Sequence, residues 1–252
     1  MIREETDMKV LMINGSPKAN GNTAAALAEM EKIFAQEGIE AETVQIGHKV
    51  IRGCIACNGC ARQGKCVFDD GVNELAEKFE AADGLVIASP VYYASANATL
   101  IAALDRLFYS AGFDTRMKVG ASVAVARRGG CSSTFDELNK YFTISGMPVA
   151  SSQYWNSVHG CVPGEAQQDA EGMQTMRTLA RNMAFLMKSI ALGKERFGLP
   201  EREKTTPHQL YPVKKRVAKH TKSSIESVGA IINRPRAVND RPYIRGCRRI
   251  HK

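Results

Sequence analysis

The stretch Lys9–Thr23, KVLMINGSPKANGNT, fixes the class of this chain. Its first six residues form a short apolar run ending in glycine, the pattern of a buried strand. Ala26, Leu27, Met30, Ile33 and Phe34 then recur at helical spacing, so Thr23–Glu37 reads as a helix stopped by Gly38. In the loop between, Gly15 and Gly21 permit tight turns, and Ser16, Asn22 and Thr23 supply short hydrogen-bonding side chains. Lys18 adds a positive charge. The first amides of the helix and its dipole favour an anion at the same place, so the loop suits a phosphate monoester. It has no Gly-Lys-Ser/Thr ending and no Gly-x-Gly-x-x-Gly, which disfavours a nucleotide triphosphate or a dinucleotide pyrophosphate there. The plainer alternative is an ordinary strand–helix turn.

The same alternation continues outward. Glu40–Ile46 reads as a second strand whose polar content suits a sheet edge. Val72, Leu75, Ala76 and Phe79 mark a helix, Gly84–Ser89 a buried strand, and Leu100, Ala103, Leu104, Leu107 and Phe108 a further helix. Val119–Ala126 and Val149–Trp155 read as the fourth and fifth strands. Thr134 and Glu137 between them have the spacing of a capping box for a helix through Phe142. Asp169–Leu192 is a long helix with a methionine-rich face. Strands alternating with helices predict an α/β fold with a parallel sheet covered on both faces. The expected architecture is three-layered and flavodoxin-like, with five parallel strands in the order 2-1-3-4-5.

Three loops at successive strand ends carry a resemblance. Gly15-Ser16-Pro17 through Gly21-Asn22-Thr23 is similar to the phosphate loop of the NADPH-dependent FMN reductase and iron–sulfur flavoprotein group. Ser89-Pro90-Val91-Tyr92-Tyr93 resembles that group's loop along the isoalloxazine ring, and Arg127-Arg128-Gly129-Gly130 its third flavin-contacting loop. The resemblance spans roughly residues 8–192 and implies bound FMN, with NAD(P)H as electron donor. It assigns Ser16, Lys18, Asn22 and Thr23 to the phosphate. It assigns Pro90, Val91, Tyr92 and Tyr93 to the ring, and Arg128, Gly129 and Gly130 to its edge. The implied activity is an oxidoreductase that passes electrons to a small molecule or a redox partner protein. The implied assembly is a homodimer or homotetramer.

Seven cysteines are present, and four crowd into Cys54-x2-Cys57-x2-Cys60-x5-Cys66. Thiolates at such spacing can wrap a 4Fe–4S cluster, and the pattern is similar to the compact cysteine motif of iron–sulfur flavoproteins. Structural zinc usually draws on two separated knuckles and fits less well. Free thiols are the remaining reading. An electron carrier with a cluster on this loop is therefore the alternative to a plain FMN reductase. Cys131 and Cys161 read as small buried residues, and His48 and His159 have no partner that sequence reveals. No Ser-His-Asp set or paired carboxylates suggest a hydrolase.

Composition divides the chain. Residues 193–252 carry 16 Lys and Arg against 5 Asp and Glu, a net of +11, and five of the nine prolines. Residues 1–192 carry the remaining −3 of the overall +8. A flavodoxin-like domain over 1–192 and a mobile basic extension over 193–252 are expected, with a short helix only at Ser223–Ile232. A basic tail raises nucleic-acid or membrane binding by a non-catalytic protein, but Phe197, Tyr211 and Tyr243 are too scattered for a base-stacking surface. No membrane span and no signal peptide are expected, and thiol-rich chemistry suits the cytoplasm.

Overall fold

A computed structural model describes residues 8–203. In chain order these form β1 (Lys9–Asn14), α1 (Asn22–Gln36), β2 (Glu40–Gln45), α2 (Cys60–Gln63), α3 (Val72–Ala81) and β3 (Gly84–Tyr92). There follow β4 (Ser95–Ala96), α4 (Ala98–Ser110), β5 (Val119–Ala126), α5 (Cys131–Ile144), β6 (Ser157–His159) and α6 (Ala170–Phe197). The sheet runs β2-β1-β3-β5-β6, with every neighbouring pair on this path parallel. That is the expected flavodoxin-like order 2-1-3-4-5. The two-residue β4 is an addition, folding back antiparallel on the end of β3. Polar β2 forms one edge, as its composition requires.

Alternation along the strands builds two cores. Val10 and Met12 point to one face with Val86 and Val123, against α1 and α6. Leu11 and Ile13 point to the other with Leu85 and Ile87, against α3, α4 and α5. A strand buried on both faces needs apolar residues at every position, which is why β1 and β3 are continuous apolar runs. Fully buried Phe34, Phe79 and Phe142 anchor the helices, each contributing about 1.5–3 kcal/mol by burial. Gly120 of β5 makes room for Phe142, since a Cβ there would stand 2.5 Å from two of its ring atoms.

Three expectations are corrected. The fifth strand is Ser157–His159, not Val149–Trp155, and Val149 makes only an isolated bridge to Gly120. The polar segment Ser151–Asn156 turns on itself instead: Ser152 Oγ donates toward Tyr154 O and Asn156 Oδ1, while buried Asn156 gives its amide to Ser122 O. Thr134 and Glu137 do not cap α5, which begins earlier at Cys131 because Gly130 takes a left-handed turn at φ 95°. Thr134 is buried within the helix, and Glu137 reaches out to Ser95 and Ala96. The last helix also continues to Phe197, past the compositional break at Gly193. The described residues up to Glu201 form one compact unit; the second begins at Arg202 and lies almost wholly outside the described residues, as do Ser223–Ile232 and Cys247.

Replacing Gly120 by alanine should overpack this face and lower the unfolding free energy by about 1–3 kcal/mol. Chemical denaturation of the two proteins, followed by circular dichroism, measures the difference directly.

Candidate functional site

The loops after β1, β3 and β5 emerge at the carboxyl ends of the parallel strands, where open α/β sheets bind ligands. The first begins with buried Ser16, whose amide is taken by Asn14 Oδ1 at 2.9 Å. Ser16 Oγ accepts from Lys18 N at 3.1 Å, so its O–H is left to donate elsewhere. Helix α1 has no side-chain cap at Gly21 and no acidic residue in its first turn. An anion held by those first amides is thus neither displaced nor repelled, and the cradle fits a phosphate. Thr23 is buried in that first turn, and Lys18 is exposed at the rim. Asn22 Oδ1 accepts from Ala166 N at 3.2 Å, tying the loop to the segment before α6.

The second loop carries backbone strain. Tyr93 and Ala94 both take left-handed conformations, φ 52° and 60°, and the Tyr93 side chain is fully exposed. Tyr92 is exposed beside it, while Pro90 and Val91 are half-buried. Such strain costs of order 1–3 kcal/mol per residue and persists only where its surroundings enforce it. Here Glu137 accepts from Ser95 Oγ and Ala96 N, and Ser133 Oγ donates to Ala94 O at 2.7 Å. The third loop joins the second at Gly130, where a Cβ would stand 2.8 Å from Val91 and 2.9 Å from Ala94. Gly129 has open space around it, and Arg127 and Arg128 are exposed.

Asn97 joins the second loop to the first. It is buried, its Nδ2 donates to Gly15 O at 2.7 Å, and its backbone N–H donates to Ser89 Oγ at 2.9 Å. Its Oδ1 also caps α4 through Thr99 N. The structure thus brings together all three loops that the sequence singled out. Asn97 and Ser133, which help hold them, escaped sequence reading, and Glu137 was read there as a helix cap. An asparagine directly before an apolar helix was the available signal for Asn97. The larger surface clefts lie elsewhere, around Asp83 and Lys118 and around Glu40 and Lys78, at or near the amino ends of the strands.

The cysteine loop follows β2 and leans on the phosphate loop: a Cβ on Gly47 would overlap Gly15 and Ser16, and Gln45 Nε2 donates to Ser16 O at 3.1 Å. Cys54, Cys57, Cys60 and Cys66 line one small pocket against Arg106, Tyr109 and Ser110 of α4. Ala56 and Asn58 hold left-handed backbone at φ 53° and 55°, and a Cβ on Gly59 would stand 2.4 Å from Val67 and 3.5 Å from Cys57 Sγ. Asn73 grips Cys66 from both sides, accepting from its N–H and donating to its C=O. Ala56 N donates to Cys54 Sγ at 3.4 Å, and buried Arg106 donates Nε–H to Cys66 Sγ at 3.2 Å. Ser110 Oγ is buried in the pocket wall without a hydrogen-bond partner. Among the described residues, no three ligating groups converge as a single metal ion requires. Four thiols ringing a pocket with N–H donors already on two sulfurs do fit the larger cubane cluster.

Arg106 and Asp70 form a fork–fork pair, 2.5 and 2.8 Å. Arg106 holds the Asp70 carboxyl below the usual carboxylate range, and Asp70 in turn raises the guanidinium pKa. Across the molecule, Cys131 is half-buried and Cys161 exposed, so neither is the fully buried residue expected. His159 does have partners: Cys131 Sγ lies 4.0 Å from its Nε2, and Asp169 Oδ2 lies 3.5 Å from its Nδ1. Burial and then Asp169 push the Cys131 thiol up, which disfavours its thiolate. His48 is exposed.

Comparison with known proteins agrees with this geometry. The family model described as NADPH-dependent FMN reductase matches residues 8–160. An iron-sulfur flavoprotein of Methanocaldococcus jannaschii is 37% identical over 73% of this chain and 99% of its own length. One from Methanosarcina thermophila is 32% identical over 75% of this chain and 100% of its own. Among solved structures, RosB, described with bound 8-demethyl-8-formylriboflavin-5'-phosphate, superposes with a TM-score of 0.58 at 16% identity, covering 87% of this chain and 100% of that one. A flavone reductase superposes at 0.56 and 20% identity, covering 73% and 64%. No helix among the described residues is long and apolar enough to cross a membrane. With its phosphate cradle, its three interlocked loops and these matches, the chain belongs to the NADPH-dependent FMN reductase family and, with it, to the FMN-dependent oxidoreductases.

Proposed function

We propose that this protein takes electrons from NAD(P)H through bound FMN and hands them to a small-molecule acceptor or a redox partner protein in the cytoplasm. The observation that carries this is the phosphate cradle of Ser16 and α1, interlocked with the loops after β3 and β5. FMN, when bound, supplies both two-electron and one-electron chemistry. The chain's own residues bind and orient it. Ser16, Lys18, Asn22 and Thr23 take the phosphate, Pro90 to Tyr93 take the ring, and Arg128, Gly129 and Gly130 take its edge. An exposed arginine near that edge favours the anionic reduced flavin.

A second reading adds to the first. Cys54, Cys57, Cys60 and Cys66 would hold a 4Fe–4S cluster and make the protein an electron carrier. The four thiols lining one pocket favour it, and so does the similarity to iron-sulfur flavoproteins. We propose in addition a homo-oligomer. Tyr93 is fully exposed on a strained backbone beside the ring loop, a surface that a second copy would cover.

Ser16→Ala combined with Thr23→Val should preserve the circular dichroism spectrum and weaken FMN binding. Each lost charge-assisted hydrogen bond is worth about 1.5–3 kcal/mol, or at least tenfold in Kd. Unaltered affinity in the folded double variant would reduce the loop to a turn. Protein purified without oxygen should show flavin absorbance together with a broad brown cluster band and about four irons per chain. Flavin without iron after anaerobic reconstitution would remove the carrier reading and leave the reductase. Light scattering at micromolar concentration should give at least twice the chain mass, and a fully active monomer would overturn the oligomer.

A further inference from the structure

We propose that Arg106 sets the reduction potential of the iron–sulfur centre by donating its Nε–H to the Cys66 sulfur, with Asp70 aiming the guanidinium and offsetting its charge. This rests on the reading that Cys54, Cys57, Cys60 and Cys66 hold a cluster.

Arg106 sits on the buried face of α4, with Leu104 and Leu107, and is 1% exposed. Burying an arginine is expensive unless every donor finds a partner. Its NH1 and NH2 donate to the two Asp70 oxygens, and NH1 also donates to Arg52 O at 3.1 Å. Its guanidinium carbon lies 5.1 Å from the centre of the Phe68 ring, which Arg52 also covers at 4.7 Å. These contacts use both N–H groups of NH1, one of NH2 and one face of the fork. The Nε–H donor points at Cys66 Sγ, 3.2 Å away. Asn73 fixes the backbone on both sides of the same sulfur's residue, so neither end of the contact is free to drift.

Cluster potentials respond to hydrogen bonds on the sulfurs, to net charge and to solvent exposure. Reduction adds one electron to the centre; no bond forms or breaks, and the sulfurs gain negative charge. An N–H aimed at a sulfur therefore strengthens on reduction and raises the potential. Asp70 acts in the opposite sense, because its negative charge nearly cancels the guanidinium. Arg106 is thus a positioning residue acting through Cys66, and the two variants must move the potential in opposite directions.

The test is a dithionite redox titration of the full-length protein, reconstituted without oxygen, read by the cluster's electron paramagnetic resonance signal. Arg106→Lys keeps the charge but cannot supply both the fork to Asp70 and the Nε–H to sulfur. It should make the cluster about tenfold harder to reduce, a shift of about 59 mV toward negative for a one-electron couple. Asp70→Asn leaves the guanidinium uncompensated beside the sulfur and should shift the potential toward positive. Opposite shifts with full iron content support the proposal. Equal potentials, shifts of the same sign, or loss of iron from both folded variants overturn it and leave the cluster reading standing. If Arg106→Lys fails to fold, Asp70→Asn decides alone, and an unshifted potential there overturns it. A wild-type protein that takes up no iron overturns the cluster reading itself.

Discussion

A single buried amide, Asn97, holds the ligand end of this molecule together. Parallel strands end in loops, and the polar backbone groups exposed there must find partners or remain a cost of order 1–3 kcal/mol each. Asn97 satisfies Gly15 O with its side chain, takes Ser89 Oγ with its backbone and starts α4 with its remaining oxygen. The phosphate loop, the ring loop and a helix of thirteen residues therefore share one fixed point. Arg106 lies nine residues further along that helix, about 13 Å by helical rise. Through it the same rod reaches the cysteine loop. The loops at the strand ends and the cysteine loop are thus referenced to one rigid element.

Rigidity at this end is built in layers. Glu137 and Ser133 of α5 hold a strained segment, Tyr93–Ala94, that would relax if left alone. Gly130 lets the third loop approach the second more closely than any side chain would allow. An aromatic ring of a bound flavin needs such a surface to be fixed before it arrives, because ordering loops on binding subtracts from affinity. The strain at Tyr93 and Ala94 is offset by the buried packing of the helices behind it.

The cysteine loop follows a related logic with fewer resources. It is largely exposed, though Gly59 is buried and the α4 side of the pocket backs it. Left-handed Ala56 and Asn58 bend it tightly enough for the cysteines to ring one pocket. Asn73 and Arg106 then grip its last cysteine. Cys131, by contrast, has a histidine and an aspartate in a row behind it, yet burial disfavours its thiolate. Proximity of the right residue types is not enough; the charged form must also be favoured.

Much of this was legible in the chain. Continuous apolar runs and helical spacing located β1, α1, α3 and the first six residues of β3, which runs on through Pro90 to Tyr92, since a parallel strand buried on both faces and an amphipathic helix each leave a local signature. The loop Gly15–Thr23 and the cysteine spacing stood out for the same reason: glycines, short polar side chains and thiols recur there at fixed intervals. The fifth strand was misplaced because Val149 and Ala150 are apolar like a strand, while the polar Ser151–Asn156 turn that displaces it is held by Asn156 reaching Ser122. Glu137 read as a helix cap because its spacing from Thr134 is right, but its real partners lie on another loop. What the sequence determined by itself was the order of strands and helices, the ligand end of the sheet and the kind of groups gathered there. Only the tertiary structure decided which side chains lock them. Asn97 meets Gly15 across 82 residues and Arg106 meets Cys66 across 40, and contacts between distant segments leave no periodic trace in either one.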